Sequence, residues 1–149
     1  LRLAMREYAW AEMKRLNYLT SEIDGIYHKA ALKFGLSDSE LMILYSICNE
    51  GDSCLLHDIC RYSGASRQTI NSGLRKLEKA GRVTLEACGG KKKRVCLTEQ
   101  GGELVRNTVV RVIQAENDIL NSWPENEREI YLELTKKYLE AFRDKVKSI

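Results

Sequence analysis

The residues best suited to chemistry in this sequence are polar side chains on one face of a short predicted helix, residues 67–79. Ile70, Leu74 and Leu77 recur at helical spacing and are expected to form its buried stripe. The outer face then carries hydrogen-bonding side chains: Arg67, Gln68, Thr69, Asn71, Ser72, Arg75 and Lys76. Arg can pair with guanine and Asn with adenine in the major groove. The pattern therefore indicates that this helix reads duplex DNA.

A shorter amphipathic segment, residues 55–62, precedes this helix and is separated from it by Ser63-Gly64-Ala65-Ser66. Gly64 permits a tight turn, and Ser66 is a natural N-cap for the second helix. The two segments predict a helix–turn–helix whose second helix enters the groove. We expect Asp52-Ser53 to cap its first helix, and Ser37 with Glu40 to form a capping box for a buried helix over residues 41–49.

The apolar period changes after Gly81, where the predicted groove-reading helix ends. Residues 83–87 and 94–97 alternate between apolar and polar side chains, which is typical of strands. Between them lies a mobile, basic tip, Gly89-Gly90-Lys91-Lys92-Lys93. A helix–turn–helix followed by a basic hairpin is a winged helix. The wing residues expected to contact DNA are Lys91, Lys92, Lys93 and Arg94.

Two motifs in this stretch resemble the MarR family of bacterial transcriptional regulators. Leu77-Glu78-Lys79-Ala80-Gly81 matches the end of the family's recognition helix, and Leu97-Thr98-Glu99-Gln100-Gly101 matches its return from the wing. The family's Asp-x-Arg near the wing tip is absent, because Gly89 and Lys91 stand there. The resemblance implies one unit, residues 1–149, with a winged DNA-binding region at about 37–98 and dimerisation helices at about 1–34 and 99–149.

Long amphipathic helices are predicted on both sides of the winged region. One covers residues 1–34, another starts at Thr98 and continues to Leu120, and the last follows Pro124 with Ser122 and Glu125 as a capping box. The fold class is thus mainly α with a small β-hairpin wing. Because these helices would expose apolar stripes, we expect them to pair in a twofold homodimer.

Charge is distributed unevenly along the chain. Residues 61–96 contain ten Lys and Arg against two Glu, a net +8, whereas the whole chain carries +3. A basic segment in an acidic remainder indicates a phosphate-binding face. The longest apolar run, residues 41–48, is too short to span a bilayer, and no signal-peptide pattern opens the chain. We therefore expect a cytoplasmic protein without a membrane partner.

The five cysteines leave a sensor as an alternative function. Cys54, His57 and Cys60 are spaced i, i+3 and i+6, and this spacing favours ordinary packing over a metal site. Cys88 and Cys96 flank the wing tip, and one hairpin register would set them opposite each other. A redox- or metal-responsive sensor and a winged-helix protein–protein interaction module are thus the alternatives to a DNA-binding regulator.

Catalysis has little support in this sequence. The two histidines, His28 and His57, lie in no nucleophile or zinc signature, and no phosphate loop follows a strand. We therefore expect no enzyme activity, no cofactor and no metal. The MarR resemblance implies a small aromatic effector bound between the dimerisation and DNA-binding regions, with Tyr27 or His28 at the border of its pocket.

Overall fold

The structure, a computed structural model, describes residues 10–149. The chain divides into two compact units, Leu1–Val110 and Arg111–Ile149. The helices are α1 (Ala11–Phe34), α2 (Asp38–Glu50), α3 (Leu56–Ser63), α4 (Arg67–Lys79), α5 (Glu99–Asn107), α6 (Val109–Asn121) and α7 (Glu125–Lys147). The strands are β1 (Ser53–Leu55), β2 (Val83–Ala87) and β3 (Lys93–Leu97). The predicted fold class is confirmed.

Helix α2 is the centre of the first unit. It contacts α1, α3, α4, β1 and β3, and its buried side chains include Ile43, Leu44 and Ile47. Side chains from the neighbouring elements close the core around it: Ala31, Ile59, Ile70, Leu77, Val83, Val95 and Val109. The predicted capping box begins this helix, since the Ser37 Oγ accepts from the Glu40 N–H at 3.2 Å and the Ser37 N–H donates to Glu40 Oε1 at 3.0 Å.

The predicted helix–turn–helix is present with little change. Helix α3 ends at Gly64, whose φ of 66° is left-handed, and α4 covers the residues expected of it. Ser66 caps α4 by accepting a hydrogen bond from the Thr69 N–H at 3.1 Å. The helix predicted over residues 1–34 is confirmed from Ala11 onward, and its first nine residues lie outside the described part of the chain.

The sheet has three antiparallel strands in the order β1-β3-β2, rather than the two strands of a simple hairpin. Ser53–Leu55 pairs with Arg94–Cys96 of β3, so Ser53 is a strand residue. The expectation that Asp52-Ser53 caps α3 is therefore wrong: Leu55 precedes the helix and makes no side-chain cap. A strand of three residues joined directly to a helix is too short for an alternation of apolar and polar residues to be recognised in the sequence.

Two predictions on the C-terminal helices are also wrong. The helix expected from Thr98 to Leu120 is broken at Thr108, which has φ −131° and ψ −87° and whose Oγ1 donates to the Leu104 carbonyl oxygen at 2.7 Å. Such a bond from a Thr side chain to the preceding turn competes with helix continuation. Ser122 makes no capping box, because its Oγ donates to the Ile119 carbonyl oxygen at 2.6 Å and Pro124 holds the N-cap position of α7.

The end of α4 and the end of β3 are joined through Thr98. Its Oγ1 donates to the Gly81 carbonyl oxygen at 2.6 Å and accepts from the Gly101 N–H at 3.0 Å. Its own N–H donates to the Arg82 carbonyl oxygen at 3.1 Å. Gly101 is buried so close to that same carbonyl that a Cβ atom would overlap it. The two motifs that carried the family resemblance are thus in direct contact.

This contact predicts opposite effects for two adjacent glycines of α5. Gly101→Ala should lower the free energy of unfolding by about 1–3 kcal/mol, because its methyl group must displace the Arg82 backbone. Gly102→Ala is the matched control, since its nearest neighbour would be the mobile Arg106 Nη1 at 3.6 Å. Alanine there should leave stability unchanged or raise it by up to about 1 kcal/mol. Urea unfolding followed by circular dichroism measures both, and equal losses of stability would contradict the close approach.

Candidate nucleic-acid interface

Helix α4 separates a buried face from an exposed polar face. Ile70, Gly73, Leu74 and Leu77 are buried against the rest of the first unit. On the opposite side the structure exposes six of the residues predicted to read DNA: Arg67, Gln68, Thr69, Ser72, Arg75 and Lys76. Asn71 is half-buried. The predicted contact residues of α4 therefore share one accessible surface, and their role as DNA contacts stays a prediction.

The first turn of α4 is fixed by side-chain hydrogen bonds. The hydroxyl of Thr69 lies 2.9 Å from the hydroxyl of Ser66, which also accepts from the Thr69 N–H. Thr69 is thus partly engaged within its own helix. Arg67, Gln68 and Arg75 have no such local hydrogen bond among the described residues, so their side chains are available to a groove.

Gly73 is a positioning residue to which the sequence patterns assigned no role. A Cβ atom there would lie 2.5 Å from the Ser39 Oγ and 3.1 Å from the Glu40 backbone nitrogen. The absence of a side chain therefore lets α4 approach the first turn of α2. The available signal was its position in the buried stripe, three residues after Ile70 and four before Leu77.

The wing brings the three predicted lysines to its exposed tip. The Lys92 N–H donates to the Gly89 carbonyl oxygen at 3.1 Å, and Gly89 and Gly90 adopt φ values of 99° and 59°. Residues with side chains rarely adopt two successive positive φ values, so this tight turn depends on glycine. Lys91, Lys92 and Lys93 are exposed, although Lys93 already belongs to β3 and pairs with Ala87.

Arg94 lies apart from these lysines. It is half-buried in β3, opposite Leu55 on one side and Glu86 on the other. Its Nη1 donates to the Ser53 Oγ at 3.2 Å. The guanidinium is therefore held against β1 at the base of the wing, whereas the lysines are free of such contacts in the described chain.

The hairpin register that would set Cys88 opposite Cys96 is not the one observed. In the observed register Cys96 lies opposite Thr84 and Ser53, while Cys88 lies beyond the end of β2. Burial, helped by the charges of Glu50 and Asp58, raises the pKa of Cys54 to about 11. Burial, followed by the Glu86 carboxylate, also raises the pKa of Cys96. These environments disfavour the reactive thiolate at both positions.

The spacing of Cys54, His57 and Cys60 brings no metal site together. Cys54 is in β1, whereas the other two residues are in α3. Among residues 10–149, no group of three or more His, Cys, Asp or Glu side chains is arranged to hold a metal ion. No helix in the described part of the chain is long and apolar enough to cross a membrane.

An open cavity of about 520 Å³ lies between α1, α2 and the end of α3. Tyr27 and His28, expected at the border of an effector pocket, both line it. His28 Nδ1 lies 2.8 Å and 2.9 Å from the two carboxylate oxygens of Asp38, which ties α1 to the first turn of α2. The rings of Tyr27 and Tyr45 meet edge to face with their centroids 6.5 Å apart.

The cysteine environments predict an order of alkylation. At pH 8 a thiol with a pKa of about 11 is ionised in roughly one molecule in a thousand, so buried Cys54 should react with iodoacetamide only after unfolding. Cys88 is exposed and should react first. Mass spectrometry of peptides from the native protein measures both rates, and Cys88→Ser should remove the fast phase. Labelling of Cys54 at the rate of Cys88 would contradict the structure.

The comparisons with known proteins agree with this geometry. The sequence of residues 34–94 matches the model of the MarR family. No curated protein matches the chain at a significant level.

Several solved structures share the fold over most of their length. NMB1585, a MarR family regulator from Neisseria meningitidis, has a TM-score of 0.76 at 17% identity, covering 93% of this chain and 98% of its own. A putative MarR family regulator from Listeria monocytogenes, complexed with 26mer DNA, has a TM-score of 0.71 at 20% identity, covering 89% of each chain. Bordetella bronchiseptica BpsR, whose DNA binding is regulated by 6-hydroxynicotinic acid, has a TM-score of 0.61 at 17% identity, covering 83% of this chain and 98% of its own.

At these identities the structural likeness shows the winged-helix fold, and the family follows from the sequence match. Of the two motifs that resemble the family, residues 77–81 lie within the matched segment and residues 97–101 lie just beyond its end. Residues 34–94 of this chain are thus a MarR family region, and the chain is similar in fold to solved MarR family regulators.

Proposed function

We propose that this chain is a sequence-specific, DNA-binding transcriptional regulator. The observation that carries the proposal is the exposed polar face of α4, which a buried apolar stripe and a closely packed glycine hold in a fixed position. The wing lysines extend from the same unit and supply positive charge beside it. The Listeria relative is seen complexed with 26mer DNA, which supports the same use of the fold here.

The two elements suit different parts of a duplex. Arg75 and Asn71 lie one turn apart on α4, where their side chains can pair with guanine and adenine edges. Lys91, Lys92 and Lys93 present compact point charges on a glycine turn and suit phosphate oxygens, which fix position without reading sequence. Net positive charge concentrated in residues 61–96 serves both elements.

A homodimer is the second part of the proposal. No residue of α7 is buried, and its large apolar side chains, including Tyr131, Leu134 and Tyr138, keep between 45% and 61% of their surface accessible up to Val146. Helix α1 separately exposes Leu16, Leu19 and Ile23. Apolar faces of this length mark interaction surfaces. We assign them to a second copy of the chain, which would relate two α4 helices by a twofold axis.

A small aromatic effector is the third part of the proposal. The cavity between α1 and α2 extends to Tyr62 and Ser63, the last residues of α3 before the Gly64 turn. A ligand there would touch the helix that orients α4. Regulation of BpsR by 6-hydroxynicotinic acid is a precedent for a small aromatic ligand acting on a protein of this fold.

Symmetry gives the first test of the function. Selection of bound sequences from a random duplex pool should return an inverted repeat with half-site centres about 34–36 Å apart. Light scattering of the protein alone should give twice the mass of the 17.1 kDa chain. Recovery of a single half-site bound by one monomer would contradict the dimer. Absence of any salt-dependent DNA binding would instead favour a protein–protein interaction module.

Separate variants should distinguish the roles of α4 and the wing. Arg75→Ala should relax preference at a defined base pair, at about 1–3 kcal/mol. Replacing Lys91, Lys92 and Lys93 with Ala should weaken binding to operator and random DNA by similar factors. It should also flatten the slope of log affinity against log salt by about one unit for each phosphate that is no longer neutralised. Fluorescence anisotropy at several salt concentrations measures both. A triple variant that keeps its salt slope but loses preference at A·T-rich flanks would make the wing a groove reader.

A further inference from the structure

The cavity between α1, α2 and the end of α3 is lined by acidic and aromatic side chains. Two carboxylates, Asp24 and Asp38, and three phenol rings, Tyr27, Tyr45 and Tyr62, are among its eleven described lining residues. None of those eleven is a Lys or an Arg. We infer that this cavity binds organic cations that carry an aromatic or bulky apolar body. The inference deepens the effector part of the proposed function and rests on it.

The two carboxylates differ in their surroundings. Asp38 is engaged by the His28 ring at 2.8 Å, so a protonated His28 would compensate its charge. Asp24, one turn before His28 on α1, has no side-chain hydrogen bond or salt bridge within the described residues. Its negative charge is therefore available to a ligand in every protonation state of His28. The lining thus holds two carboxylates against a single imidazole.

Negative charge is also present at the end of the cavity that α3 forms. The charges of Glu50 and Asp58, with a hydrogen bond to Glu50, raise the pKa of Tyr62. Carboxylates that disfavour the phenolate of Tyr62 equally favour a cation beside it. Glu50 and Asp58 thus add negative charge near Tyr62, although neither lines the cavity.

The aromatic rings supply the second half of the recognition. Cations bind over the electron-rich faces of Tyr rings, and quaternary and alkylated ammonium groups use cages of such rings. Leu41 and Met42 also line the cavity and provide apolar contact for the body of a ligand. A volume of about 520 Å³ accepts a molecule larger than a single benzene ring.

The acidic charge of the lining distinguishes this chain from BpsR, whose effector, 6-hydroxynicotinic acid, is a carboxylic acid. A carboxylate ligand such as 6-hydroxynicotinic acid would meet Asp24 and Asp38, with no Lys or Arg among the described lining residues and with His28 already engaged by Asp38. Like charges at short range are unfavourable in a partly enclosed site. Although the two proteins share a fold, the class of ligand that each one binds depends on its own side chains.

Three probes test the inference: para-tert-butylbenzylamine, para-tert-butylbenzyl alcohol and para-tert-butylbenzoate. They share the para-tert-butylphenyl group and differ in carrying an ammonium, a neutral hydroxyl or a carboxylate. Isothermal titration calorimetry of the full chain at pH 7.5 should rank the ammonium first, roughly tenfold tighter than the benzoate. Asp24→Asn and the double variant with Asp38→Asn should lose this preference while keeping their helical circular dichroism. Glu22→Gln, an exposed change on the same helix outside the cavity, is the matched control and should keep it.

Equal or tighter binding of the benzoate, no ammonium binding up to millimolar concentration, or a preference that survives in the double Asp variant would each overturn the inference. DNA binding by the same preparations is measured in parallel by anisotropy. A chain that binds duplex DNA but shows no preference for the ammonium fails this inference alone. A chain that prefers the ammonium through Asp24 but never binds DNA fails the proposed function alone.

Discussion

The arrangement of α4 and the wing depends on the contact among Thr98, Gly101 and the Gly81-Arg82 backbone. One hydroxyl satisfies the carbonyl that follows α4 and the free N–H at the start of α5. The absence of a side chain at Gly101 lets that start lie against the Arg82 carbonyl. As a result, the C-terminal end of α4 and the base of the wing share one set of hydrogen bonds. The angle between α4 and the wing is then set by backbone contact rather than by loop length.

Sequence patterns predicted most of the helix–turn–helix because each signal was local. The bounds of α4, the N-cap at Ser66, the turn at Gly64 and the capping box at Ser37 all depend on residues within four positions of one another. Strand β1 could not be seen in this way, since its pairing with β3 joins residues about forty positions apart. The break at Thr108 was equally hidden, because the apolar period continues across it.

The candidate site shows a similar division. Residue types alone identified the polar face of α4 and the basic tip of the wing. Sequence could not show that Arg94 is held by Ser53 while the neighbouring lysines are exposed, because that difference comes from the third strand. From the sequence, the cavity could be anticipated only through two residues expected at its border, Tyr27 and His28. Its acidic sign appears when α1 and α2 place Asp24 and Asp38 around one space.

The short strand β1 has a consequence for how the wing can move. It is continuous with α3 at one end, and it pairs with the central strand β3 of the wing along its length. The Leu97 N–H also donates to the Asp52 carbonyl oxygen at 2.9 Å, just before β1 begins. A displacement of α3 is therefore transmitted to the wing through sheet hydrogen bonds without passing through α4. If α4 and the wing contact DNA as proposed, a movement of α3 would release both sets of contacts together.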